Sequence, residues 1–146
     1  MAVESQSFSA AVDDWVRSST ARMEAVFKES CQRLIAQAQT PVSAGGHMPV
    51  DTGFLRASGL ASTAGPIPLN PEAVGEKDKQ YTFNFGQTET VIASLTVGMR
   101  FYFCWTAAYA ARIEYGFTGQ DSKGRTFNQA GRGFVRLAAQ NWPVIV

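Results

Sequence analysis

One short segment carries residue types able to cleave a bond: Asp51-Thr52-Gly53. An aspartate in such a triplet works when a second carboxylate sits beside it and the two share a proton. That arrangement needs the aspartate at the end of a buried apolar strand, with small residues following. Here Gly46-His47-Met48-Pro49 precedes the triplet, and the bulky and basic Phe54-Leu55-Arg56 follows it. A tripeptide match is weak evidence by itself. The competing reading is a turn that opens a short helix through 55–57. Asp51 or Thr52 then accepts an orphaned backbone N–H, Gly53 permits the tight turn, Pro49 stiffens the approach and Leu55 buries itself.

Other site chemistry has less to work with. The single histidine, His47, stands in a Gly-rich loop with no partner at metal-ligand spacing. Cys31 and Cys104 lie far apart and in no CxxC or Cys/His cluster, which suits buried small hydrophobes in a reducing compartment better than a disulfide. Gly131 and Gly133 follow no strand in a phosphate-cradling frame. The expectation is no catalytic residue, no metal and no cofactor. The alternative is a homodimeric aspartic protease of the retroviral type using Asp51.

The elements that would position these residues can be read from periodicity. Residues 7–39 place Phe8, Val12, Trp15, Val16, Met23, Val26, Phe27, Leu34 and Ile35 at helical spacing, which predicts one long amphipathic helix with a core-facing stripe. Ser18-Ser19-Thr20 interrupts that stripe and predicts a kink or a partly exposed stretch. Thr40-Pro41 ends the helix. After a strand fragment from Leu60, residues 65–80 are rich in Gly and Pro and predict a loop, with a solvated turn at 76–79. Alternation predicts strands over 81–85 and 91–97 joined by a hairpin loop at 87–89, and Gly98 precedes a third apolar run at 99–105. A short helix over 107–115 stops at Gly116. Residues 116–132 are polar, Gly-rich and aperiodic, and predict a second long loop. A last helix over 133–142 ends at Pro143, leaving Val144-Ile145-Val146 as an apolar tail. The fold expected is α+β: a long N-terminal helix and short helices on a small antiparallel sheet, with extended loops.

Bulk properties agree with one packed domain over 1–146. The chain is 45% hydrophobic and 12% aromatic, and a domain of this length buries ~70% of its unfolded surface. Its formal net charge of +1 comes from dispersed charges with no basic run, so sequence-specific nucleic-acid binding is not expected. There is no signal-peptide pattern and no apolar run near the ~20 residues that span a bilayer, so a soluble intracellular product without membrane contact is expected.

Two segments read together carry a family likeness: residues 49–58, Pro-Val-Asp-Thr-Gly-Phe-Leu-Arg-Ala-Ser, and residues 109–116, Tyr-Ala-Ala-Arg-Ile-Glu-Tyr-Gly. The pairing resembles the head–tail joining, or tail-completion, proteins of long-tailed bacteriophages, also described as minor tail or neck proteins. Residues 131–139, Gly-Arg-Gly-Phe-Val-Arg-Leu-Ala-Ala, fit the family's closing helix, with Gly133 where a proline is common. The resemblance implies a virion structural protein with no catalytic site, made in the host cytoplasm and placed at the head–tail junction or tail end. It implies a homo-oligomeric, hexameric ring between a head connector, adaptor or stopper and a tail terminator or tail tube, with DNA passing through its lumen. Asp51, Thr52, Gly53, Leu55, Arg56, Tyr109, Glu114 and Gly116 are then structural. Arg56 and Glu114 are expected either to pair across the short helices or to stand as two independent exposed charges. Phe117, Arg125, Val144, Ile145 and Val146 are expected at contacts with a neighbouring subunit or ring.

Overall fold

A computed structural model describes residues 7–120 and 122–146 of the chain. Helix α1 (Phe8–Ala38) forms because no Gly or Pro interrupts its residues and because Ser7 Oγ accepts the Ala10 N–H at 3.2 Å. It runs unbroken through Ser18-Ser19-Thr20, where Ser18 is exposed and Ser19 and Thr20 are half-buried, the partly exposed stretch that was one of the two expectations. Its 31 residues span ~46 Å at 1.5 Å per residue. Pro41 follows the Gln39 cap, and the chain turns back through Val42–Ala44 so that Met48 donates its N–H to Thr40 O at 3.2 Å.

The expected core stripe is realised over only part of α1. The buried residues are Ser30, Cys31, Ile35 and Ala38, whereas Phe8 is 86% and Trp15 70% exposed, with Val12, Val16, Met23 and Val26 also exposed. The reason is one of length. The elements that pack on α1 meet it only from about Glu24 onward, where Glu24 Oε1 accepts the Val97 N–H at 3.2 Å. Farther along, Gln37 Oε1 accepts from Asn141 Nδ2 at 3.4 Å.

Past α2 (Phe54–Ala57), strand β1 (Gly59–Ser62) pairs antiparallel with β2 (Tyr102–Trp105), in register Gly59↔Trp105 to Ser62↔Tyr102. Between them the sequence expectation fails. Residues 81–85 alternate in burial as predicted but join no strand ladder, and residues 91–97 are not a strand. Helix α3 (Gly86–Ala93) occupies the predicted hairpin loop and the start of that strand. Asn84 Oδ1 takes the Gly86 N–H at 2.9 Å, and Thr88, Ile92 and Leu95 are buried at spacings of four and three, the helical period. The helix also completes the sheet edge: the Gln87 side-chain amide donates to Ala61 O at 2.8 Å and accepts the Ala61 N–H at 3.1 Å.

Helix α4 (Ala110–Tyr115) leads into the second ladder, where β3 (Gly116–Gln120) pairs antiparallel with β4 (Thr126–Ala130). The predicted 116–132 loop is therefore largely a hairpin. Helix α5 (Phe134–Gln140) ends at Asn141, and Pro143 opens the short α6 (Trp142–Ile145) instead of leaving a tail. Proline suits a first helical turn, whose N–H groups are unpaired anyway. The architecture is α+β, as expected.

Two apolar clusters hold these elements. Met48, Leu55, Ala107, Ala110 and Phe134 form one; Cys31, Ile35, Ile92 and Leu95 form the other. Edge-to-face rings connect them along Phe134, Trp105, Phe103, Phe83 and Phe85, with centroids 4.9–6.1 Å apart. Each such contact stabilises by roughly 0.5–1.5 kcal/mol beyond its buried area. Burial raises the Cys31 thiol pKa to about 11, in keeping with an unreactive core residue, and both cysteines are free.

Candidate functional site

The two motifs meet in the first cluster. Leu55 from α2 and Ala110 from α4 are both buried there, with Phe54, Tyr109 and Ile113 packed around them. The Phe54 ring lies 6.4 Å from Tyr109 and edge-on to Tyr81 at 5.0 Å. Gly53 makes the entry to α2 possible. Its φ is +83°, and a Cβ there would collide with Tyr81 O, the carbonyl of a residue whose N–H bonds Thr52 O at 2.8 Å.

The Asp-Thr-Gly triplet departs in part from the capping expectation. Thr52 Oγ1 accepts the Phe54 N–H at a long 3.4 Å, and no side chain caps α2 from its N-cap residue, Gly53. Asp51 is exposed on the bend before α2 and lines a hollow of about 630 Å³ with Pro49, Phe54, Glu76, Lys77 and Tyr109. Its carboxylate is felt by Tyr109. The phenol's pKa is raised by burial first, is lowered by a hydrogen bond with the Leu55 backbone, and is raised by the Asp51 charge. The carboxylate thus sits on an open turn beside a phenol, not at the end of a buried apolar strand. Among the described residues no three His, Cys, Asp or Glu side chains gather in a way that would hold a metal ion.

Arg56 and Glu114 do not pair, and neither is a free surface charge. Arg56 Nε donates to Gln39 O at 3.0 Å, while the Gln39 amide donates back to Arg56 O at 3.0 Å. Gln39 Oε1 also accepts the Trp105 indole N–H at 3.2 Å. Gln39 is 3% exposed and joins the end of α1 to α2 and β2. Sequence reading passed over it, because a glutamine at a helix end gives no signal until its partners, 17 and 66 residues away, are known.

Glu114 finds its partners on α5. Its two carboxylate oxygens accept the Val135 and Arg136 N–H groups, each at 2.9 Å. Gly133, the N-cap of α5, has no side chain to do this, so α4 supplies the cap from outside the helix. A carboxylate at a helix N-terminus also meets the favourable end of the helix dipole. Backbone bonds from Arg132 to Ile113 O (2.7 Å) and from Gly133 to Glu114 O (3.1 Å) lock the same junction.

Gly116 turns the chain from α4 into the hairpin with φ +89°, where a Cβ would lie 2.6 Å from Gln129 O. Beyond it the Arg112 guanidinium stacks over the Phe117 ring at 4.5 Å, and Arg125 lies over Phe127 at 6.0 Å. Every residue of β4 is exposed. At the C-terminal end Val144 and Val146 are exposed, but Ile145 is buried in its own chain. Its carbonyl accepts from Arg33 Nη1 at 3.5 Å, so the residues expected as a free apolar tail are partly held by their own chain.

Compared with protein-family models, curated proteins and solved structures, the chain finds no match among them. Among the described residues no helix is long and apolar enough to cross a membrane.

Proposed function

We propose that the chain is a structural subunit of the bacteriophage head–tail interface, a neck or tail-completion protein acting by stoichiometric assembly. Copies would form a ring, hexameric in the family it resembles, joining tail to head around the DNA channel. One observation supports this reading above the others. Two of the motifs' charged groups are used internally, Arg56 on Gln39 and Glu114 on the α5 N-terminus, while large apolar side chains at separate places are left exposed by their own chain. The N-terminal half of α1 is one such place; Val144 and Val146 on α6 and the exposed β4 edge are others. A closed ring of identical subunits requires two different patches per copy. The near-neutral charge suits a channel that passes DNA without gripping it.

The partners on this reading are further copies of the chain, a connector, adaptor or stopper ring on one side and a tail terminator or tube on the other. The residence is the virion, after assembly in the host cytoplasm. A nonsense mutation in the corresponding phage gene tests it. Filled heads and finished tails should accumulate unjoined, and purified protein should restore joining in the extract. Fully infectious particles lacking the protein would overturn the proposal.

A further inference from the structure

We infer that the β3–β4 hairpin, with the arginines at its root, is a sequence-independent contact for the phosphate backbone of double-stranded DNA. This rests on the function proposed above, which supplies the duplex, and it gives Phe117 and Arg125 to DNA instead of a neighbouring subunit. The formal charge of +1 conceals a segregation along the chain. Residues 112–136 hold five basic and two acidic side chains, whereas the remaining residues hold eight basic and ten acidic. One of those two acids, Glu114, is committed to the α5 N-terminus. All five basic residues, Arg112, Lys123, Arg125, Arg132 and Arg136, are exposed. Among the described residues no ion pair holds Arg112, Arg132 or Arg136.

The register of the ladder arranges this charge. Phe117 pairs with Gln129 and Gly119 with Phe127, so both rings stand on one face of the ribbon. The Arg112 guanidinium covers Phe117 at 4.5 Å and that of Arg125 covers Phe127 at 6.0 Å. Stacking of this kind steadies a planar cation without neutralising it. Thr118, Gln120, Thr126 and Asn128 fall on the other face, where Thr118 Oγ1 lies 3.3 Å from Asn128 Oδ1. Arginine, threonine, asparagine and glutamine are among the side chains that bond phosphate oxygens. A two-stranded ribbon also fits the ~12 Å width of the major groove. A protein partner is the poorer match. The ribbon offers only two large apolar side chains, each with an arginine over it, too few for the apolar centre of a protein–protein contact.

The test is fluorescence anisotropy of a labelled duplex of about 20 base pairs, titrated with the full chain between about 50 and 200 mM KCl. The wild type should bind two unrelated sequences equally, with a micromolar Kd at the lower salt. Log affinity against log salt should fall with a slope of about −3.5, the value for about four phosphate contacts. R112Q/R125Q should reduce the slope to about −2 and weaken binding by about tenfold or more at the lower salt. The same loss of charge on α1, R17Q/R22Q, should leave the slope unchanged. Circular dichroism checks each fold, and K123Q/R125Q at the exposed hairpin tip replaces the first pair if that does not fold. No duplex binding at the lower salt overturns the inference, as does an equal effect of the two pairs. Binding of poly-glutamate through the hairpin, without binding of the duplex, also overturns it and would indicate an acidic protein partner. Duplex affinity is read without heads or tails, and joining is read without DNA affinity, so the two proposals fail separately.

Discussion

Glu114 illustrates how a single charged residue is committed to architecture. Two charge-assisted bonds at 2.9 Å hold the N-terminus of a helix whose own N-cap is glycine. Glu114→Gln keeps one acceptor oxygen and removes the charge, so stability should fall by about 1–2 kcal/mol in chemical denaturation. An unchanged midpoint would show that water replaces the carboxylate at no cost. Asp51 is the contrasting case, exposed and outside the α2 cap. Asp51→Asn should change stability by less than about 0.5 kcal/mol and leave the proposed joining role intact. It should also lower the Tyr109 pKa slightly, since the Asp51 charge is one of the causes raising it. Difference absorbance of the phenolate reads that shift, and loss of joining with an intact fold would point to chemistry at Asp51.

At the level of elements, what could be read from sequence depended on whether the signal was local. The bounds of α1 were legible because Ser7 and Pro41 act through neighbouring backbone. The alternation over 81–85 correctly foretold which side chains turn inward, but alternation cannot say whether a partner strand exists. Over 91–97 the apolar run fitted two periods at once; its first three residues end helix α3, and Thr88, Ile92 and Leu95 are buried at helical spacing. The β3–β4 hairpin was invisible because β4 is exposed throughout and β3 carries two glycines and one large apolar side chain, Phe117, which leaves no hydrophobic pattern to detect. Within the motifs, the packing of Leu55 was foreseeable, whereas the partners of Arg56 and Glu114 depend on tertiary contacts. Gly116 was read as a helix stop and is also the root of the hairpin. Gly116→Ala would place a methyl at positive φ and 2.6 Å from Gln129 O. It should cost more than the ~1 kcal/mol of an ordinary glycine replacement, with β3–β4 amide protection lost before that of α5. Equal protection of the hairpin in variant and wild type would mean that its root relaxes freely.

For the whole molecule, the decisive asymmetry lies along α1. Residues 30–38 are held by Ile92, Leu95 and the short helices at the C-terminal end, while residues 8–22 project with most of their side chains in water. A helical segment of ~15 residues without tertiary contacts is marginal in water, because helix stability in proteins comes chiefly from packing an apolar face. In dilute solution, amide exchange should therefore be graded along one continuous helix. It should be fast over residues 8–22, where fraying opens the backbone at little cost, and should approach the global unfolding rate over residues 30–38. If copies assemble as proposed and a neighbour covers Phe8 and Trp15, the gradient should reverse at its fast end, because the apolar surface that makes fraying cheap is removed. Hydrogen-exchange mass spectrometry on the monomer and on the proposed assembly measures both halves of this prediction. Uniformly slow exchange along α1 in the monomer would mean that the N-terminal half is stable unaided, and the physical need for a neighbour over it would disappear.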